Sequence, residues 1–339
     1  LEINLKSNKT KLSFNATHKM EQIIKQFLRL SNFQQAWSKV AEKHGCAGID
    51  GETIQHFARE QDTNLSQLRD AVANSTYEPQ PCKQILIPKK KGDWRELRVP
   101  TVRDRIVQQA LLNVFYSITE TKFFPDSFAY RPNKSYLDAV KKVAAWRDLG
   151  YKWVLDSDIV EFFDSLDHQI LLKEIRKYFD NPGILCLIKA WISVGVLTDS
   201  GLILPEKGIP QGAVISPLLA NIYLDQFDWL IGNSADLKLV RYADDFVILA
   251  QSQERIIQAR VEVAQILQEM GLELHQGKTR ITNFETGFRF LGHGFLQKAI
   301  FPSEPAQELD TNGSNLKDKK KFFSKFQQKQ TRKRSNCLP

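Results

Sequence analysis

The sequence predicts an α+β fold with a helix-rich N-terminal half and a C-terminal half running β-α-β-β-α-β. Three observations carry this. Apolar residues recur at helical spacing up to Asn74. From Trp153 onward, short β-branched and aromatic runs alternate with amphipathic stretches. Two of those runs, Leu237 to Tyr242 and Phe246 to Ala250, are separated only by Ala243-Asp244-Asp245, a tight turn. The 339 residues leave room for two or three compact subdomains.

Taken in order, Lys19 to His44 places Ile23, Ile24, Phe27, Leu28, Phe33, Trp37 and Val40 on one helical face, and Gly45 and Gly48 end that helix. A second helix falls within Glu52 to Asn74, before the break at Pro79 and Pro81. Ile85 and Ile87 alternate with polar neighbours as a strand does. Lys89 to Trp94 is a basic turn into a second strand through Leu97 and Val99. Helices follow at Arg103 to Thr119 and Ser135 to Leu149. Trp153-Val154-Leu155 is a strand ending at Asp156-Ser157-Asp158. Helices come next around His168 to Phe179 and Gly183 to Val194. Gly208-Ile209-Pro210-Gln211-Gly212 is a turn, and Ser216 to Ile231 a helix. After the hairpin, a helix from Glu254 to Met270 stops at Gly271, and strands at Thr279 to Phe284 and Phe288 to Leu296 complete the ordered part.

Setting aside the inserted helices, this is the split β-α-β, or ferredoxin-like, order. That topology lays the end of the first strand beside the central hairpin. Asp158 then faces Asp244 and Asp245, although 86 residues separate Asp158 from Asp244. Clustered carboxylates repel unless a cation neutralises them. Two divalent ions ~3.5–4 Å apart do so while clamping both oxygens of an in-line phosphoryl displacement. Magnesium suits oxygen ligands of this kind, and manganese is able to substitute. Taken alone, Asp244-Asp245 reads more often as a plain turn.

The formal net charge is +8, and Lys317 to Arg334 alone, with nine basic residues and Asp318, carries +8. Positive fields elsewhere come from clusters such as Lys89-Lys90-Lys91 and Arg95-Arg98-Arg103-Arg105. Ser303 to Asn315 is polar, and the basic stretch beyond it has only Phe322, Phe323 and Phe326 as apolar anchors. This part reads as a linker and flexible tail able to neutralise phosphates. Cys46, Cys82, Cys186 and Cys337 form neither a C-x-x-C pair nor a zinc spacing. No signal-peptide stretch or membrane span is visible, so a cytoplasmic protein with reduced thiols is expected.

The boxes around these carboxylates resemble those of group II intron-type and related bacterial reverse transcriptases. Arg241-Tyr242-Ala243-Asp244-Asp245-Phe246 is similar to their YADD box, and Asp158-Ile159-Val160-Glu161-Phe162-Phe163-Asp164 to their first palm motif. Gly208 to Gly212 with Ser216 to Asp225 matches the block between. Arg95 to Arg105 and Phe128-Ala129-Tyr130-Arg131-Pro132 resemble the fingers blocks. Gly271-Leu272 with Gly277-Lys278-Thr279, then Phe290-Leu291-Gly292, resemble the last two palm motifs. The likeness runs in the family's order from Gln22 to Leu296.

The resemblance implies a right-hand polymerase. Its parts would be an N-terminal extension at 1–18, fingers with N-terminal helices at 19–150, a palm at 151–302 and a linker with basic tail at 303–339. It implies RNA-directed DNA synthesis from an RNA template, a DNA or RNA primer and deoxynucleoside triphosphates, with two magnesium ions. Asp158, Asp244 and Asp245 become catalytic metal ligands, with Ile159 offering its carbonyl. Lys89 and Arg95 would hold the triphosphate, Phe163 would crowd a ribose 2′ hydroxyl, and Gln211 would touch nucleotide or template. Lys278 would protonate the leaving pyrophosphate, and Phe290, Leu291 and Gly292 would grip the primer. Plain readings stand beside these: a solvated basic turn for Lys89, a core ring for Phe163, a surface lysine for Lys278. Asp164 and Asp225 read as structural or capping groups, and Asp156 as an accessory group on the face of Asp158.

The family normally continues into a helical thumb. Here about forty residues follow Leu296, so the thumb is expected to be absent or vestigial, its role passing to the tail or another protein. Phe290 to His293 followed by Ile300 to Ser303 is closer to reverse transcriptases of CRISPR adaptation loci. That implies spacer acquisition from RNA, antiviral defence and a CRISPR integrase complex as partner. The alternatives are an intron-encoded or maturase-like RNA-binding protein, disfavoured by the retained carboxylates, and a nucleotide cyclase, disfavoured by the basic fingers block.

Overall fold

The computed structural model describes residue 18 and residues 20–88 and 94–302. Lys89 and the basic tail lie outside the described residues.

The helical pattern at the N-terminus is interrupted where one continuous helix is expected. Residues 20–27 are helical, and α1 (Leu30–Glu42) starts after Arg29 turns extended. Asn32 holds the break, its side-chain amide donating to Phe27 O and to Ala110 O, both at 2.9 Å. The helix also ends at Glu42, short of Gly45. The next helix is likewise two, α2 (Ile54–Ala58) and α3 (Gln61–Ala73). Thr53 caps the first, and Asn64 donates across the break to Phe57 O.

Strands β1 (Cys82–Pro88) and β2 (Trp94–Val99) pair antiparallel. Then come α4 (Val102–Thr119) and α5 (Tyr136–Asp148), capped by Thr101 and by a Ser135–Asp138 capping box. After β3 (Trp153–Ser157) the chain forms α6 (Phe162–Ser165), α7 (His168–Arg176) and α8 (Pro182–Ser193). The sequence reading misses the hairpin β4 (Val196–Thr198) and β5 (Gly201–Ile203) that follows. Helix α9 (Ser216–Gly232), β6 (Leu237–Tyr242), β7 (Asp245–Ala250), α10 (Gln253–Glu269) and β8 (Arg280–Asn283) complete the main sheet. The last expected strand is divided into β9 (Phe288–Phe290) and β10 (His293–Leu296), because Leu291 and Gly292 both take positive φ. A further strand, β11 (Ala299–Pro302), joins them.

The main sheet has the order β6-β7-β3-β8, with β3 antiparallel to both β7 and β8. This is the expected β-α-β-β-α-β arrangement, its first strand between the third and the fourth. Alternation buries both faces. Val154, Val240, Val247 and Leu249 join a cluster with Ala139, Val140 and Val143 of α5. Leu155, Leu239, Phe246 and Ile248 join the larger core, which includes Leu219, Tyr223 and Phe227 of α9 and Ile256, Val263 and Leu267 of α10. The second four-stranded sheet, β2-β1-β4-β5, joins strands from either side of residue 150. Among the described residues no helix is long and apolar enough to cross a membrane.

Candidate active site

Asp158 follows β3 directly. Val154, Asp156 and Asp158 share a strand parity, so Asp158 points to the α5 face. Its segment is pinned to the α10–β8 connection: His275 N donates to Asp158 O and Val160 N to Glu273 O, each at 2.9 Å. Ile159 is buried there and bridges Leu274.

Ser157 pairs with Phe246 across β3 and β7, so one residue further along the register Asp158 stands opposite Asp245. Tyr242 closes the hairpin against Asp245, and Ala243 turns the chain with φ of 60°. Such a left-handed alanine is uncommon and needs support from its surroundings. The two sequence-distant acidic sites thus meet at one end of the main sheet.

A third segment closes the site from the side. Gly208 N donates to Leu166 O, and Ile209 N to Phe163 O, each at 2.7 Å. Gly208 has φ of +86°, and a Cβ there would come within 2.9 Å of the Asp164 backbone, so the turn requires glycine. Arg98 N of β2 donates to Gln211 O at 2.7 Å, fastening the strand to the same turn.

Together these segments enclose a cleft of about 700 Å³, lined by Asp158, Asp244 and Asp245 with Ile159, Phe163, Gln211, Arg95 and Lys278. Each of these is a residue singled out in the sequence. Arg95 is exposed and has no ion pair among the described residues. Lys278 Nζ donates to Asp158 Oδ2, which raises the lysine above its ordinary pKa. Phe290, Leu291 and Gly292 are not among the lining residues: Phe290 is buried in the α5-side cluster and the other two form the β9–β10 turn. Asp156 pairs with Arg280 at 2.8 Å, and Asp225 accepts from Tyr178 Oη. Asp164, read as structural, lines the cleft and pairs with Arg98 at 2.8 Å.

The carboxylates feel one another. Crowding of the Asp245 carboxyl by protein raises it first, and the charges of Asp244, Asp158 and Asp156 add to this, bringing it to about 6. Because Asp245 as a residue is exposed, the neighbouring charges are the firmer cause. Burial, with Asp158 adding to it, raises Asp244 as well. Among the described residues no group of three His, Cys, Asp or Glu side chains is gathered tightly enough to hold a metal ion. The donor set is nonetheless the one a hard divalent cation takes, and its mutual repulsion is what such a cation relieves. The donor chemistry fits magnesium, while the side chains as they stand form no closed cage.

Sequence patterns assign no individual role to His275 or Tyr130 and place Arg98 only within a basic cluster. Arg98 and His275 line the cleft. Tyr130 lies close enough to Asp244 for that charge to raise its hydroxyl, after burial. Arg98 lies in β2 three residues past Arg95, on the opposite strand face, so alternation alone does not group the two.

A family profile described as reverse transcriptase (RNA-dependent DNA polymerase) matches residues 87–295. Protein YkfC of Escherichia coli K12 is 32% identical over 290 residues, covering 74% of this chain and 76% of that protein. The group II intron-encoded protein LtrA of Lactococcus lactis subsp. cremoris is 25% identical over 334 residues, covering 78% of this chain and 55% of LtrA. The chain thus spans about half the length of that intron-encoded relative. Among solved structures, apo telomerase from Candida tropicalis, truncated of its C-terminal domain, superposes with a TM-score of 0.54. At 15% identity it covers 71% of this chain and 60% of the telomerase, a likeness of fold.

Proposed function

We propose that this chain, which belongs to the reverse transcriptase (RNA-dependent DNA polymerase) family, extends a nucleic-acid primer with deoxynucleotides chosen by an RNA template. The observation that carries this is the meeting of Asp158 with Asp244 and Asp245 in one cleft beside Arg95, Phe163 and Gln211. Divalent ions bound by these carboxylates and by the Ile159 carbonyl would neutralise charge at the attacking and departing oxygens.

The remaining work falls to the protein's own groups. Arg95, with Lys89, binds the triphosphate and offsets its charge. Phe163 presents a ring edge to the sugar and excludes a 2′ hydroxyl. Gln211 is anchored through its own carbonyl to Arg98 N and so presents its side chain from a fixed backbone. Lys278 keeps its proton beside Asp158 until the triphosphate enters, then places that proton at the departing pyrophosphate. Leu291 and Gly292, at the β9–β10 turn, meet the primer strand outside the cleft, and buried Phe290 anchors that turn in the α5-side cluster. In this reading residues 19–150 act as fingers and 151–302 as palm.

The narrower setting, spacer acquisition from RNA beside a CRISPR integrase, rests on the resemblance of Phe290 to His293 with Ile300 to Ser303. The other setting, an intron-encoded or maturase-like role, is favoured by the likeness to LtrA. The common activity is tested by primer extension on an RNA template with magnesium and the four deoxynucleotides. Complementary elongation is expected, and a chain that binds template–primer without elongating it would overturn the proposal.

A further inference from the structure

Arg241 is the largest of the fully buried side chains, and its partner Asp228 is equally hidden, each side chain 1% exposed. All five donors of its guanidinium are taken. Nε donates to Asp228 Oδ1 at 2.6 Å, and one Nη2 hydrogen goes to Asp228 Oδ2. The other Nη2 hydrogen goes to Ser127 Oγ at 2.9 Å. Nη1 donates to Asn221 Oδ1 at 3.1 Å and to Ala243 O at 2.9 Å. The backbone of Arg241 is tied as well: its N donates to Asp126 O at 3.0 Å, and its O accepts from Phe128 N at 2.9 Å. Asn221 reaches the same segment, donating to Ala129 O at 2.9 Å.

The bond to Ala243 O matters most. The Ala243 carbonyl and the Asp244 N–H belong to one planar peptide unit, so fixing the carbonyl fixes the start of Asp244. Ala243 sits in the left-handed region, where an alanine needs outside support. Stability alone does not explain the pair. Replacing a buried ion pair by packed apolar side chains is often neutral or stabilising. A planar fork with five directed donors is instead suited to holding several acceptors in fixed geometry.

We propose that Arg241, clamped by Asp228, is a positioning residue that sets the turn presenting Asp244, with the 126–129 segment and α9 as its abutments. The inference rests on the polymerase reading of the cleft and assigns a second role to the Phe128-Ala129-Tyr130-Arg131-Pro132 box, that of a brace behind the hairpin.

Two variants of the full chain test it. R241K keeps a charge for Asp228 but lacks the fork that also reaches Ala243 O. R241M/D228N removes both charges and nearly keeps the volume. Thermal melting, template–primer affinity, kcat and KM for a deoxynucleotide, and Mn2+ affinity by electron paramagnetic resonance are compared with the parent. Both variants are expected to melt cooperatively and to keep the parent's template–primer affinity. Their kcat should fall about 100-fold, the scale of a small misplacement of a reacting group, and their Mn2+ affinity should weaken. Parental kcat and Mn2+ affinity in R241K overturn the proposal. Unfolding of R241K also overturns it, since the pair is then a stability element. If only the double variant unfolds, R241K decides. A parent chain inactive on RNA, with Mn2+ affinity still weakened by R241K, counts against the polymerase reading and for the brace.

Discussion

The two four-stranded sheets are built to different standards. In the sheet that carries the carboxylates, β7 is buried at every residue from Phe246 to Ala250, and β3 buries Val154 and Leu155 fully between two helical layers. In the other, β1 and β2 leave Leu86, Ile87 and Trp94 exposed. Local stability follows buried contact, so the first sheet is rigid and the second more yielding. The division matches the chemistry proposed. Metal ligands need fixed geometry, and they rise from the buried sheet. Arg95, whose proposed partner arrives and leaves with each addition, stands on the exposed one.

The largest effect that would sharpen the contrast is chemical. Asp244→Asn should leave thermal melting near the parent's and lower primer extension by about a thousandfold or more, because an amide does not supply the charge that holds the ions. Near-parental extension by this variant would remove the carboxylates from the mechanism. Next comes packing. Phe246 is fully buried and meets Phe227 edge-on. Phe246→Ala should cost about 3–5 kcal/mol in denaturant unfolding, whereas Leu86→Ala, on the exposed sheet, should stay within about 0.5 kcal/mol. Equal losses at both sites would erase the distinction between the sheets. The smallest effect concerns the sugar. Phe163→Ala should raise ribonucleotide against deoxynucleotide insertion by about tenfold in single-nucleotide assays, the order a small steric difference supports. An unchanged ratio would leave Phe163 as packing of α6 against the larger core.

Much of this was legible in the chain. The period-two runs around Ala243-Asp244-Asp245 and the run at Trp153 fixed the main sheet, and its topology brought Asp158 to Asp244 and Asp245 across 86 residues of sequence. The cleft gathers Arg95, Phe163, Gln211 and Lys278 as well. What stayed hidden depended on side chains that act at a distance. The break before α1 is held by Asn32 reaching Ala110, a contact no local pattern announces. The β4–β5 hairpin was available in Thr198-Asp199-Ser200-Gly201 between apolar runs, but its three-residue strands fall below the length at which alternation is readable. Arg241 sat in a recognised box, yet its burial against Asp228 is a tertiary fact: a charged residue in a strand reads as solvent-facing until a partner is seen.

The most direct test of the central claim, that the rigid sheet presents Asp158, Asp244 and Asp245 as one metal-binding centre, is a Mn2+-containing crystal of the chain with template–primer and a non-hydrolysable deoxynucleotide, read by anomalous scattering. The account predicts manganese peaks in contact with Asp158 and Asp244, with Lys278 Nζ withdrawn from Asp158 toward the triphosphate. Manganese bound elsewhere while the nucleotide occupies the cleft would contradict it.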